Sequence, residues 1–152
     1  DNVRVPVGNL VGVEGKAFSQ TMKQLEHERG GIDRLVSNRA LYLHVLERAD
    51  TSDPVVRQEI AELEIGFTVG RLLVYRSVLG QTPAGFAAGT KCVCTEYEQR
   101  VADFAARILG PEAMLLSDWS AEIAYAPACA IMGGTSDVMR NILGDRVLGL
   151  PR

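Results

Sequence analysis

Apolar residues recurring at intervals of three and four over most of the chain are the feature that most restricts its fold. From about Lys16 to Ala49, Phe18, Met22, Leu25, Ile32, Leu35, Val36, Leu43 and Leu46 follow this spacing, which gathers them on one side of a helix. A second run extends from Pro54 to about Leu79 through Val56, Ile60, Leu63, Phe67 and Leu73, and a third carries Cys92, Val93, Tyr97, Val101, Phe104, Ala105 and Ile108. The breaks between runs are sharp. Asp50 to Pro54 reads as a connection, with Asp53 a helix cap and Pro54 a first helical residue. Gly80 to Gly85 ends the second run and Gly110-Pro111 the third. Three long amphipathic helices plus shorter ones, joined by short loops, predict an all-α, antiparallel four-helix-type bundle.

Other stretches depart from that pattern. Val3, Val5 and Val7 alternate with polar residues and predict a short N-terminal strand whose partners lie outside this chain. Gly30-Gly31 interrupts the first run, and each glycine costs roughly 1 kcal/mol against alanine inside a helix, so the pair marks a break or a close approach. Ser117 to Ala130, which holds Trp119, reads as one or two short helical turns before a last helix from about Ser136 to Leu148.

A chain of 152 residues suits one domain with a usable core. Its net charge of -3 argues against binding nucleic acid, which needs a basic surface. No apolar run approaches the ~20 residues of a membrane span and the start does not read as a signal peptide, so the expectation is a cytoplasmic protein. The odd set Cys92, Cys94 and Cys129 reads as inert, buried thiols. His27 and His44 are the only histidines and nothing groups with them, so no metal site is expected.

One loop suggests chemistry. Gly133-Gly134 can turn tightly or let a ligand approach the backbone, and Thr135 or Ser136 can then cap a helix whose first turn carries Asp137. Such an entry is either an ordinary capped helix or a place where free amides hold a phosphate or carboxylate.

The run Gly133-Gly134-Thr135-Ser136-Asp137-Val138-Met139-Arg140-Asn141-Ile142-Leu143, followed by Asp145-Arg146-Val147-Leu148-Gly149-Leu150-Pro151-Arg152, resembles the C-terminal signature of the acyl-CoA dehydrogenase family. At the other end, Asp1-Asn2-Val3-Arg4-Val5-Pro6 with Gly12-Val13-Glu14-Gly15-Lys16-Ala17-Phe18 is similar to the passage from that family's middle β-domain into its helical C-terminal domain. The resemblance covers the last third of much longer proteins. It divides the chain into residues 1–14, the end of the β-domain and a linker, and residues 15–152, the helical domain.

The resemblance implies a flavoprotein oxidoreductase of lipid metabolism, in fatty acid or steroid degradation. FAD-dependent α,β-dehydrogenation turns an acyl-CoA thioester into the 2-enoyl-CoA, and an electron-transferring flavoprotein accepts the electrons. A shielded carboxylate takes the α-proton from the face opposite the flavin. Many members place that base as a glutamate immediately before the Gly-Thr-Ser run, where this chain has Gly133. Others place it on the first long helix just before an arginine, and the matching pair here is Glu28-Arg29. The resemblance thus implies Glu28 as the base, with Arg29 beside that carboxylate or the thioester. Gly133 and Gly134 match positions lining the thioester, and Thr135, Ser136 and Asp137 match positions touching the flavin. Glu26, two residues from Glu28, faces elsewhere on a helix.

Two family motifs are altered. An Arg-x-x-Phe-Gly motif is replaced by Glu47-Arg48-Ala49-Asp50-Thr51-Ser52-Asp53-Pro54, and of a Gly-Gly-x-Gly flavin-side pattern after the third helix only Gly110 remains. These losses resemble a bacterial branch built from two different subunits, several acting on CoA thioesters of steroid side chains, in which this chain would supply the base. The alternative is a non-catalytic assembly subunit of a heteromeric acyl-CoA dehydrogenase. In either case the chain alone is expected to retain little or no FAD and to be inactive. Apolar surface left by the missing domains is expected to favour homo- or hetero-oligomers through the helical bundle.

Overall fold

The computed structural model describes residues 1–151; Arg152, the last residue of the signature, lies outside the described residues. Seven α-helices follow one another: α1 (Ala17–Arg29), α2 (Asp33–Val36), α3 (Arg39–Leu46), α4 (Pro54–Val78), α5 (Ala87–Leu109), α6 (Asp118–Cys129) and α7 (Ser136–Ile142). The fold is the all-helical one expected.

Local signals explain most boundaries. The Asp53 carboxylate accepts from the Val55 amide at 2.8 Å and Pro54 opens α4, which supplies a partner to one of the free amides of the first turn. Gly110 ends α5 in the left-handed region, at φ 56°. Gly30-Gly31 ends α1, the first of the two roles open to the glycine pair.

Three expectations need correction. The strand over Val3, Val5 and Val7 does not form: residues 1–6 have no regular structure and Val7–Asn9 make a 3₁₀ turn. Alternation produces a strand only where a neighbouring strand takes up its amides and carbonyls, and there is no strand among the described residues. The stretch after Ser117 is a full 12-residue helix rather than one or two turns, because Ser117 and Ser120 form a reciprocal capping box at its start. The last helix, expected to continue to Leu148, gives way after Ile142 to a π-helical turn, Leu143–Val147.

A second break in the first run, at Ser37-Asn38, comes from a distant residue. The buried Glu98 carboxylate of α5 accepts from the Asn38 amide at 3.0 Å and from the Ser37 hydroxyl, while the Asn38 side chain donates to the Glu98 carbonyl at 3.2 Å. The first of those bonds occupies a backbone amide that a continuous helix would use.

Helix α5 is the hub, packed against α1, α2, α3, α4, α6 and α7. Its Cys94, Tyr97, Val101, Phe104 and Ala105 meet Leu35, Leu41, Tyr42, Val45 and Leu63 in the main core. Gly70 lets α4 approach closely; a β-carbon there would lie 2.5 Å from Leu35 Cδ1. A smaller cluster of Ala88, Cys92 and Met139, with Ile142 and Leu143, seats α7 on the start of α5. That seat fixes the Gly133-Gly134 loop next to α1 and α2.

All three cysteines are buried and free, as their sequence context suggests. Among the described residues no helix is long and apolar enough to cross a membrane, and no group of His, Cys, Asp and Glu could hold a metal ion.

Candidate functional site

The Gly133-Gly134 loop joins α6 to α7 in a conformation that calls for glycine. Gly133 has φ 70° and Gly134 φ 108°, values side-chain-bearing residues rarely adopt. A β-carbon on Gly134 would also sit 2.5 Å from Cε of the buried Met139. Thr135 provides the expected cap, its hydroxyl accepting from the Val138 amide at 3.3 Å.

Cations surround this loop. Arg29, at the end of α1, donates through Nε to the Gly133 carbonyl at 2.8 Å. Lys91 of α5, fully buried, donates through Nζ to the carbonyls of Gly134 at 2.7 Å and Ala130 at 3.0 Å. Arg34 of α2 brings Nη2 to 3.4 Å from where a Gly133 β-carbon would stand. The same nitrogen lies 3.4 Å from Glu28 Oε1. The carboxylate proposed by position and the loop that lacks one thus share a single guanidinium. Glu26 faces away, accepting instead from the Gly85 amide at 2.8 Å.

The carbonyl directions determine the amide directions. A trans peptide points its C=O and N–H to opposite sides, and there is no cis bond among the described residues. With Gly133 and Gly134 carbonyls turned toward Arg29 and Lys91, the Gly134 and Thr135 amides face away from those cations. The amides of Gly133, Gly134 and Thr135 donate to no protein acceptor among the described residues.

Electrostatics follow from burial. Desolvation pulls the Lys91 ammonium below its ordinary pKa, and Arg34 and Arg29 add to the effect against the partial opposition of Cys92 and Cys129. Burial also pushes up the thiols of Cys92 and Cys129, which leaves them poor nucleophiles.

The expected site residues separate into groups. Arg34 links Glu28 to Gly133, while Arg29 binds the Gly133 carbonyl directly and lies 3.5 Å from where a Gly134 β-carbon would stand. Thr135, Ser136 and Asp137 continue directly from the loop; the Ser136 hydroxyl is buried without a partner, whereas the Asp137 side chain is 94% exposed beside Arg140. Gly110 is not brought to the loop. It ends α5, nineteen residues beyond Lys91 and so about 28 Å away along the helix.

Lys91 and Arg34 were not singled out by sequence reasoning. The signal for Lys91 was present: Lys91, Thr95 and Glu98 share the helical face of Val101 and Ala105, and all five are buried. Polar residues on a core face need partners. Nothing comparable marks Arg34, whose neighbours come from elsewhere in the chain.

Comparison with known proteins gives the same region a context. The family profile described as acyl-CoA dehydrogenase, C-terminal domain, matches residues 15–148. Acyl-CoA dehydrogenase IpdE1 of Mycobacterium tuberculosis is 26% identical over all of this chain and 43% of its own length. Among solved structures, butyryl-CoA dehydrogenase from Megasphaera elsdenii superposes with a TM-score of 0.79 at 24% identity, covering 95% of this chain and 42% of that one. The steroid ACAD Tcur3481-Tcur3483, in a variant form, gives 0.75 at 25% identity, with coverage of 100% and 45%. The chain spans less than half the length of the curated relatives it matches.

Proposed function

The chain belongs to the acyl-CoA dehydrogenase family, of which it carries the C-terminal helical domain, and on that premise we propose that it supplies the base for α,β-dehydrogenation of an acyl-CoA thioester. Glu28 takes the α-proton. The observation that carries this reading is the link from Glu28 through Arg34 to Gly133: the loop has no carboxylate of its own, and one guanidinium stands between its Gly133 and the Glu28 carboxylate of α1.

Each residue then has a task. Arg34 holds the Glu28 carboxylate toward the loop, and Arg29 fixes Gly133, so the thioester would lie against backbone that cannot swing. The three amides without protein acceptors are available to polar groups of the substrate. Residues 1–14 are the exit from a preceding β-domain, and residues 15–152 are the helical domain.

The residues present fit one edge of a flavin. The orphaned Ser136 hydroxyl offers a donor and acceptor beside the loop, while the Thr135 hydroxyl is already engaged as a cap. Bound FAD would accept the β-hydride. Ser136, Thr135 and Asp137 would hold it from this side, with the remaining contacts supplied by domains or a subunit beyond this chain. Gly110, far from the loop in this chain, would serve a flavin only across a subunit contact. A two-subunit enzyme acting on steroid-type acyl-CoAs, passing electrons to an electron-transferring flavoprotein, is the specific form we favour; likeness to a steroid enzyme supports it.

A second reading keeps one observation: the Glu28 side chain is 48% exposed, as in an assembly subunit whose site has decayed. A base that meets a substrate held by other domains would be open on that side too. The test is anaerobic flavin bleaching by branched, long-chain and steroid acyl-CoAs, using the whole protein with any homologous partner co-expressed. Glu28→Gln should abolish bleaching while flavin content stays constant. Bleaching that survives the substitution removes Glu28 from the reaction, and a protein that never holds flavin supports the assembly reading.

A further inference from the structure

We propose that Lys91 is the positioning residue of the thioester loop, its buried ammonium holding the Ala130 and Gly134 carbonyls so that the backbone presented to substrate has one fixed direction. This rests on the reading of that loop as part of the acyl-CoA site. The ammonium is fully inside the fold and both of its acceptors belong to the one turn that runs from Ala130 to Ser136. Burying a charge is costly unless it gains strong partners. The groups that act most strongly on it are Cys92 on its own helix, Arg34 of α2, Cys129 of α6 and Arg29 of α1; no carboxylate is among them. A lysine that served only to fill the core would be replaceable by methionine with little consequence. Lys91 instead spends its donors on the two ends of the loop.

The geometry gives the clamp its effect. The Ala130 carbonyl accepts from Lys91 and also from the Ser136 amide at 3.1 Å, closing the loop. The Gly134 carbonyl, drawn to Lys91 at 2.7 Å, turns the Thr135 amide the other way. Gly134 has the widest conformational choice of any residue type, and Lys91 is what removes that choice. Arg29 acts on the preceding peptide, through Gly133. Two cations from different helices therefore set two successive peptide planes.

The test compares wild type with Lys91→Met and Lys91→Gln in the whole flavoprotein. Hydrogen exchange at the Ser136 amide reads the clamp without reference to activity, and the rate of flavin bleaching by acyl-CoA reads its use. Lys91→Met should speed Ser136 exchange by roughly tenfold or more while amides in the middle of α5 keep their protection. It should also slow flavin bleaching by roughly 10- to 100-fold at constant flavin content, the scale expected of a misplaced reacting group. Lys91→Gln, which keeps an N–H donor group without the charge, should fall between wild type and Lys91→Met. Unchanged Ser136 exchange overturns the proposal, as does equal loosening of α5, which would show a purely structural role. Faster Ser136 exchange with an unchanged bleaching rate overturns it too. If wild type itself never bleaches, the dehydrogenase reading fails, and with it the catalytic use of the clamp, while Ser136 exchange still decides whether Lys91 fixes the loop. Should Lys91→Met not accumulate as folded protein, the Lys91→Gln comparison applies the same criteria.

Discussion

Arg29 Nε donates to the carbonyl oxygen of Gly133 at 2.8 Å, joining residues 104 positions apart. Residue 29 ends the first helix and residue 133 lies in the last loop, so this bond fastens the two ends of the helical domain to each other. Glu28, the neighbour of Arg29, pairs with Arg34, whose guanidinium stands beside Gly133.

The loop glycines should not tolerate side chains. Gly134→Ala places a β-carbon 2.5 Å from Met139 Cε at φ 108°, and is expected to cost roughly 1–3 kcal/mol of stability. Gly133→Ala, with only an ordinary 3.4 Å contact to Arg34 and φ 70°, should cost less, about 1 kcal/mol. Urea denaturation midpoints would order the two, and equal losses would argue against the Met139 contact.

Glu28→Gln should separate chemistry from stability. The Glu28–Arg34 pair is half-exposed on the glutamate side, and such pairs contribute less than about 1 kcal/mol. Thermal unfolding should therefore change little while flavin bleaching is lost. A large drop in melting temperature would mean that the pair holds α1 to α2 rather than serving a substrate.

Glu98 should make stability fall as pH rises. Burial pushes its carboxyl up to about 7, opposed by the Ser37 and Asn38 hydrogen bonds and reinforced by Glu122, and one of its oxygens, Oε1, has no partner. Between the ordinary value of 4.5 and about 7 the folded state binds the extra proton. Stability contributed by the protonated form is therefore present at low pH and lost through that window, by as much as about 3 kcal/mol. Glu98→Gln should flatten the profile and raise stability at pH 8, as read by denaturant titration across pH.

Gly70→Ala should destabilise although it improves helix propensity. Alanine gains about 1 kcal/mol over glycine inside an unencumbered helix, but here its β-carbon would meet Leu35 Cδ1 at 2.5 Å in the closed core. A lower midpoint, restored by Leu35→Val in the same chain, would confirm that the two helices are limited by this contact.

The cysteines should stay silent in the folded protein. Cys94 is buried and pushed up to about 12, and burial raises Cys92 and Cys129 as well. Thiol reagents at neutral pH should react only as fast as the domain opens. Rapid labelling of one thiol in native protein would contradict its burial.

Much of the helical scaffold is local information. The apolar spacing marked the long helices, Asp53-Pro54 and Thr135 marked two starts, and Gly30-Gly31 and Gly110 marked two ends, because capping and left-handed turns depend on a few adjacent residues. The valine alternation at the start misled for the complementary reason. A strand is defined by its neighbour, and none is present among the described residues.

The same distinction divides the site. The sequence by itself identified a glycine pair able to turn tightly, a helix cap after it and a glutamate-arginine pair that matches a family position. Only the tertiary structure decided that Arg34 joins Glu28 to Gly133, that Glu98 breaks the chain at Ser37-Asn38, and that Lys91 grips the loop from within. Helices form from contacts three and four residues apart, whereas a buried charge finds its partners wherever the chain returns, and that return is set by packing of the whole core.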